Sequence, residues 1–271
     1  RNLVKRFGGF AATNDVSLKV ERGARQALIG PNGAGKTTFF NMVSGFLAPT
    51  AGTIEFAGED ITHLRQDRIA AMGLVRTFQL VQLFKGMTVA ENVEVGFHLA
   101  TKGGVAAALT RLAWFRRQET DVHAKARELL AFVGLAAQAG QDAELLPYGQ
   151  QRLLEVARAL AAKPRLLLLD EPAAGLNAHE TDALAAVIQE LNRQGTTVLL
   201  IEHDMALVTR IAQRIAVLDF GCKITEVPVD RQGLVDPDAV GRSLQRGLRW
   251  TAGRRLHPRS ARPACLASMT D

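Results

Sequence analysis

Two cysteines, Cys222 and Cys265, are all that 271 residues contain. They can form no disulfide framework, and that favours a reducing compartment. Long apolar runs are missing as well. Crossing a bilayer takes about 20 consecutive apolar residues, whereas the longest runs here, such as 166–169 and 198–201, have the length of buried strands. No internal repeat and no sustained heptad is present. No secretory leader is legible at the start, but the chain opens on Arg1 rather than Met, so a truncated first strand and a lost leader both stay open. Most of the chain also lacks an excess of either charge. The net +6 is concentrated at one end, where Arg246, Arg249, Arg254, Arg255, Arg259 and Arg262 face only Asp271. The remaining 245 residues carry 27 basic and 26 acidic side chains. This argues against a body built to bind nucleic acid. A basic end on a near-neutral body reads as a solvated, disordered tail. A contact with anionic lipid or RNA, anchored by Trp250, is the secondary reading. At 47% apolar and 22% charged, the chain is an ordinary folded composition with room for one large domain or two small ones.

What is present is a phosphate-binding pattern. Gly30-Pro31-Asn32-Gly33-Ala34-Gly35-Lys36-Thr37-Thr38 has two glycines five apart followed by Lys and a hydroxyl residue. The apolar, β-prone Ala27-Leu-Ile29 precedes it, and Phe39-Phe-Asn-Met-Val-Ser-Gly45, suited to a helix, follows. Strand, glycine loop and helix form the context this motif needs. Gly33 and Gly35 let the backbone curl so that successive N–H groups point into one concavity. The helix start adds its positive end. Lys36 supplies a mobile charge for β- and γ-phosphates, and Thr37 a hydroxyl for Mg²⁺.

Elsewhere the pattern predicts a parallel α/β core with a helical insertion. Half-buried strands are expected at 16–20 and 53–57, with a turn at Pro49-Thr-Ala-Gly52. From about 80 to 160 the period turns helical, with Ala126, Leu129, Leu130 and Val133 on one face and a looser stretch at 96–120. After Pro164, residues 166–169 read as a strand buried on both faces. Asn177-Ala-His-Glu180 is a capping box, opening a helix with Leu184, Val187, Ile188 and Leu191 on one face and closed by Gly195. A strand at 197–201 and a final hairpin around Gly221 follow.

Asp170 and Glu171 end the buried strand at 166–169. Such strand tips face the ligand crevice of an open α/β sheet. Asp170 suits Mg²⁺ through its hydration shell, and Glu171 suits an attacking water. His203, in Glu202-His203-Asp204, also follows a strand and reads as either a helix cap or a γ-phosphate contact. Alone, Gln79 is a surface glutamine, and Phe7 before Gly8-Gly9 is either core or an adenine platform. Leu146-Pro147-Tyr148-Gly149-Gln150-Gln151 opens a helix with Leu153, Val156, Ala157 and Leu160 on one face.

In this order, these motifs resemble an ATP-binding-cassette (ABC) ATPase over roughly residues 1–225. The resemblance implies an α/β fold. Its core is a P-loop NTPase with a RecA-like parallel sheet, carrying an ABC-type helical subdomain at about 80–160 and an N-terminal antiparallel β portion. The domain would span 1–245, with 246–271 as the tail. It implies ATP hydrolysis to ADP and phosphate, with ATP and Mg²⁺ as ligands. Two cassettes, as homodimer or heterodimer, would sandwich each ATP between one phosphate loop, residues Gly30 to Thr38, and the partner's signature segment. In that segment Tyr148, Gly149 and Gln150 would contact the nucleotide. Thr37, Gln79 and Asp170 would serve the metal; Glu171, His203 and Gln79 the catalysis; Phe7 the adenine. Transmembrane permease subunits, and indirectly a periplasmic solute-binding protein, would be the partners, at the cytoplasmic face of the inner membrane.

Three positions depart from the family pattern. Pro147-Tyr148 stands where Ser-Gly is usual, removing a hydroxyl from the γ-phosphate, and Asn177 replaces a common Asp. The strings Val75-Arg-Thr-Phe-Gln79, Met87-Thr-Val-Ala-Glu-Asn92 and Asp170-Glu-Pro-Ala-Ala-Gly-Leu-Asn177 are similar to the ATPases of branched-chain amino-acid importers. Branched-chain amino acids are therefore the expected cargo, with urea or amides as the alternative, since their importers have close relatives. A soluble ABC protein acting on ribosomes or DNA would usually carry two cassettes or long coiled coils. A binding-only module is disfavoured by the intact Lys36, Asp170, Glu171 and His203.

Overall fold

The computed structural model describes residues 1–77, 81–97 and 113–229, with side chains of the last stretch from 120 onward. Two compact units divide the chain. Of the described residues, one comprises Arg1–Gln66 with those from Ile201 to 229, and the other those between Asp67 and Leu200.

The first unit opens with an antiparallel hairpin of β1 (Leu3–Phe7) and β2 (Phe10–Val16). The strand expected at 16–20 therefore ends where it was to begin. Leu3 is the first residue of β1 and pairs with Val16, so β2 has no partner beyond that point, whatever its alternation. β3 (Arg25–Ile29) is buried at every position after Arg25. It pairs in parallel with β9 (Arg214–Asp219), which turns back antiparallel to β10 (Cys222–Pro228). The helix α1 (Lys36–Val43) follows β3. Of the strand expected at 53–57, only Glu55–Phe56 (β4) pairs, with Glu59–Asp60 (β5). The helix α7 (Met205–Ile211) completes this unit.

The second unit places β6 (Leu74–Arg76) parallel to β7 (Leu166–Asp170). All five residues of β7 are buried, as a strand covered on both faces requires. β8 (Thr197–Ile201) is likewise buried throughout. The helix α2 (Gln66–Ala71) leads into this unit, and α6 (Ala178–Arg193) begins at the Asn177–Glu180 capping box. The apolar stripe Leu184, Val187, Ile188 and Leu191 is buried as its spacing predicts.

The helical lobe consists of α3 (Val89–Val95), α4 (Ala113–Phe132) and α5 (Tyr148–Ala161), packed on one another. A glycine sets the approach of α3 to α5. A Cβ at Gly96 would lie 2.7 Å from Ala161 Cβ and overlap the Arg158 carbonyl oxygen. Asn92, fully buried, clips the preceding loop. Its Oδ1 accepts from the Phe84 N–H at 2.9 Å, and its Nδ2 donates to the carbonyls of Phe84 and Thr88 at 3.2 and 3.0 Å. The stripe on α5 is shifted slightly from expectation: Leu154 is fully buried, and Leu153 only half-buried.

Candidate nucleotide site

β3 delivers the chain to Gly30, and two positions of the loop, Gly30 and Gly35, exclude a side chain. A Cβ at Gly30 would lie 3.1 Å from the Leu218 carbonyl carbon and overlap its oxygen. At Gly35, φ is 96°, and a Cβ would overlap the Ala12 carbonyl oxygen. Gly35 is also the N-cap of α1 and offers no side-chain acceptor. The first N–H groups of that helix therefore have no side-chain cap, and such a helix start suits an anion. The loop is tied to the turn between β9 and β10 by the Gly221 N–H, which donates to the Ala34 carbonyl at 3.0 Å. Lys36 is buried, and its Nζ donates to the carbonyls of Gly30 and Pro31 at 2.7 and 2.9 Å. The ammonium is thus already folded over the loop. Pro31, Asn32, Gly33 and Thr37 are exposed, and Thr38 is half-buried.

Two further residues of this unit were singled out by sequence. Phe7 lies at the end of β1, opposite Phe10 across the Gly8-Gly9 turn, and is 51% exposed. It is a surface ring rather than a core one, with Lys5 Nζ 5.4 Å from its centroid. His203 is exposed just after β8 and is not the helix cap. Asp204 caps α7, accepting from the N–H groups of Ala206 and Leu207 at 2.8 and 3.3 Å. The neighbouring Glu202, which the sequence did not single out, is 4% exposed and accepts from the His203 N–H at 3.0 Å. It fixes the backbone that carries the imidazole.

In the second unit, Asp170 ends β7 with 1% exposure. Its Oδ2 accepts from Arg76 Nη2 at 2.6 Å, while its Oδ1 has no hydrogen-bond partner among the described residues. Glu171 follows at φ 47°. That is an uncommon conformation for a residue with a side chain, and it costs of order 1–3 kcal/mol. The kink turns the Glu171 side chain out of the alternation that the strand would impose on the pair. Gln79 lies outside the described residues.

The Leu146–Gln150 segment is brought against the start of α6. Pro147 is the N-cap of α5 (φ −53°), and Tyr148 the first helical residue. Gly149 is buried beneath Glu180. A Cβ there would lie 2.8 Å from Glu180 Cγ and overlap its carboxyl group. Tyr148 is 43% exposed and covers Gly175, whose Cβ would lie 3.1 Å from the ring. Arg152 stacks 5.5 Å from the Tyr148 centroid and forms a buried pair with Glu155 at 3.2 Å. Gln150 is half-buried.

The donors suit the expected ligands. A glycine loop with an uncapped helix start and a lysine fits a nucleotide's phosphates. Mg²⁺ takes oxygen ligands, usually one or two carboxylates plus substrate phosphates. A buried carboxylate oxygen without a protein partner, Asp170 Oδ1, is such a donor.

Comparison with known proteins agrees with this chemistry. The family model described as ABC transporter matches residues 13–174. Over 225 residues, 83% of this chain and 88% of the relative, the chain is 48% identical to BraF of Pseudomonas aeruginosa, a high-affinity branched-chain amino acid transport ATP-binding protein. Its structure is similar to the ADP conformation of MJ1267, an ATP-binding cassette of an ABC transporter. There the TM-score is 0.77 and the identity 32%, over 93% of this chain and 97% of that one. Likeness extends to the dimeric MJ0796, a bacterial ABC transporter cassette, with TM-score 0.72 and 26% identity over 85% and 97%. Glycine loop, strand-end carboxylates and relatives together place the chain in the ABC transporter family, as one of its ATP-binding, ATP-hydrolysing cassettes.

Proposed function

We propose that this cassette powers the import of branched-chain amino acids. It would pair with a second cassette and act on transmembrane permease subunits at the cytoplasmic face of the inner membrane, with a periplasmic solute-binding protein acting indirectly. The observation that carries the ATPase reading is the loop at 30–38, where two glycines admit backbone carbonyls and the helix that follows starts without a side-chain cap. The cargo rests on the 48% identity to BraF.

In this reading the loop's N–H groups and Lys36 bind the β- and γ-phosphates, and Phe7 stacks on adenine. Asp170 Oδ1, the Thr37 hydroxyl and Gln79 would hold Mg²⁺, which when bound offsets charge on the phosphates. Glu171 accepts a proton from the attacking water, and His203 contacts the γ-phosphate. The start of α5, through Tyr148, Gly149 and Gln150, meets the partner cassette's nucleotide. Closure of the pair would drive transport, and hydrolysis would reopen it. The domain would extend to about 245, with 246–271 as a solvated tail.

Glu171→Gln tests the core of this proposal. Gln is as strained as Glu at positive φ, so the backbone is unchanged while the base is lost. ATP affinity should persist, turnover should fall by ~10²–10⁴, and gel filtration with Mg-ATP should show a trapped dimer. A variant that stays monomeric and hydrolyses at the parent rate removes Glu171 from the role. Deleting the gene and following leucine and urea uptake tests the cargo; retained leucine uptake with lost urea uptake would reassign it.

A further inference from the structure

The carboxylate of Asp170 is treated asymmetrically by the fold. Arg76 Nη2 holds Oδ2 at 2.6 Å, and the two side chains are only 7% and 2% exposed. Oδ1 has no hydrogen-bond partner among the described residues. A buried ion pair is weak evidence for stability, because desolvation offsets most of the attraction. Arg76 sits on the strand beside β7, at the register of Leu168. Its guanidinium reaches two residues forward to the carboxylate at the strand's tip.

We propose that Arg76 is a built-in counter-cation that weakens the affinity of Asp170 for divalent metal. A free Asp170 carboxylate at this depth would attract a cation without nucleotide. With Arg76 paired to one oxygen, Mg²⁺ binding depends on the phosphates that accompany it. Two effects of opposite sign compete when Arg76 is replaced. Losing the anchor frees a carboxylate torsion that the metal must then fix, a small entropic cost. Losing the positive charge removes its repulsion of a divalent ion held by the same carboxylate, where buried charges are screened less than in water, and this effect outweighs the first. Removing the charge therefore tightens metal binding. The inference rests on the proposed role of Asp170 at the Mg²⁺ site.

The test titrates Mg²⁺ into the full chain with fluorescent mant-ATP, and reads the Mg²⁺ concentration that gives half of the metal-dependent change. Arg76→Met and Arg76→Gln should lower that midpoint at least tenfold, and Arg76→Lys should leave it within about twofold. Mg²⁺-free mant-ATP affinity reports that each variant is folded. Should Arg76→Met fail to fold, Arg76→Gln, which retains a donor for Oδ2, carries the same expectation. A midpoint that is unchanged or raised in Arg76→Gln overturns the proposal. Asp170→Asn separates the two readings. If it leaves the midpoint unmoved, the Asp170 assignment itself fails. If it raises the midpoint while Arg76→Gln does not lower it, only the counter-cation role fails.

Discussion

Gly149 carries two burdens, and a double-mutant cycle with Glu180 separates them. A Cβ at 149 would lie 2.8 Å from Glu180 Cγ, against an ordinary carbon–carbon separation of about 3.5–4.0 Å. The Glu180 side chain must therefore move by roughly 1 Å, and it has no slack. Its Oε2 accepts from the Asn177 N–H at 2.9 Å, while the Glu180 N–H donates to Asn177 Oδ1 at 3.0 Å. Gly149→Ala should break this box at about 0.5–2 kcal/mol, less about 0.5–1 kcal/mol returned by replacing a helical glycine. Glu180→Ala alone should lose a similar capping contribution. In the double variant the added methyl has room, so the losses should fall short of additive by about 1 kcal/mol. Urea unfolding measures this coupling. ATP-driven dimerisation, followed by gel filtration, then isolates the contact with the partner. Gly149→Ala should regain dimerisation in the Glu180→Ala background, because its backbone N–H is intact. Gly149→Asp should fail in either background through charge repulsion. Additive stability losses would refute the clash. A Gly149→Asp/Glu180→Ala variant that dimerises at the parent's ATP concentration would refute the segment's role in the sandwich.

Two further outcomes are expected. Deleting 246–271 removes six arginines and few apolar groups, so melting temperature and ATPase rate should stay close to the parent's; a loss of several degrees would show that the tail docks. Burial pushes the Asp219 carboxyl above its ordinary value of 3.8, with the Phe220 N–H opposing. The folded chain then holds that proton more tightly than the unfolded one, so stability falls as pH rises from 3.8 through the raised value, and the penalty is complete above it. Asp219→Asn should raise the melting temperature at pH 7 more than at pH 3; an equal shift at both would assign the effect to packing.

What the sequence made legible is what depends on neighbours in the chain. The loop at 30–38 announces its chemistry because the turn, the cation and the hydroxyl are contiguous. Asp170 and Glu171 are legible because a run of four leucines ahead of them can only be a buried strand. Arg76, Glu180 and Glu202 were not legible as parts of the site. Arg76 matters because β6 lies beside β7, and Glu180 because α6 starts over Gly149, facts of packing that no local pattern encodes. The end of β2 was missed for a related reason: Val16-Ser-Leu-Lys-Val20 alternates correctly, but a strand lasts only as long as its partner.

The Asn92 clip has a mechanical consequence. A loop whose carbonyls and N–H groups are anchored to one buried amide is stiff, and a stiff element passes displacement on instead of absorbing it. Phe84, 45% exposed at the loop's outer end, has the Arg158 guanidinium 5.3 Å from its ring centroid. Arg158 belongs to α5, the helix that begins at Tyr148 and Gly149. A push on the Phe84 ring therefore reaches that helix through its contact with the Arg158 guanidinium. Softening the clip by Asn92→Ala would release the backbone of Phe84 itself, so that force entering at the ring would be spent on the loop before it moved the helix.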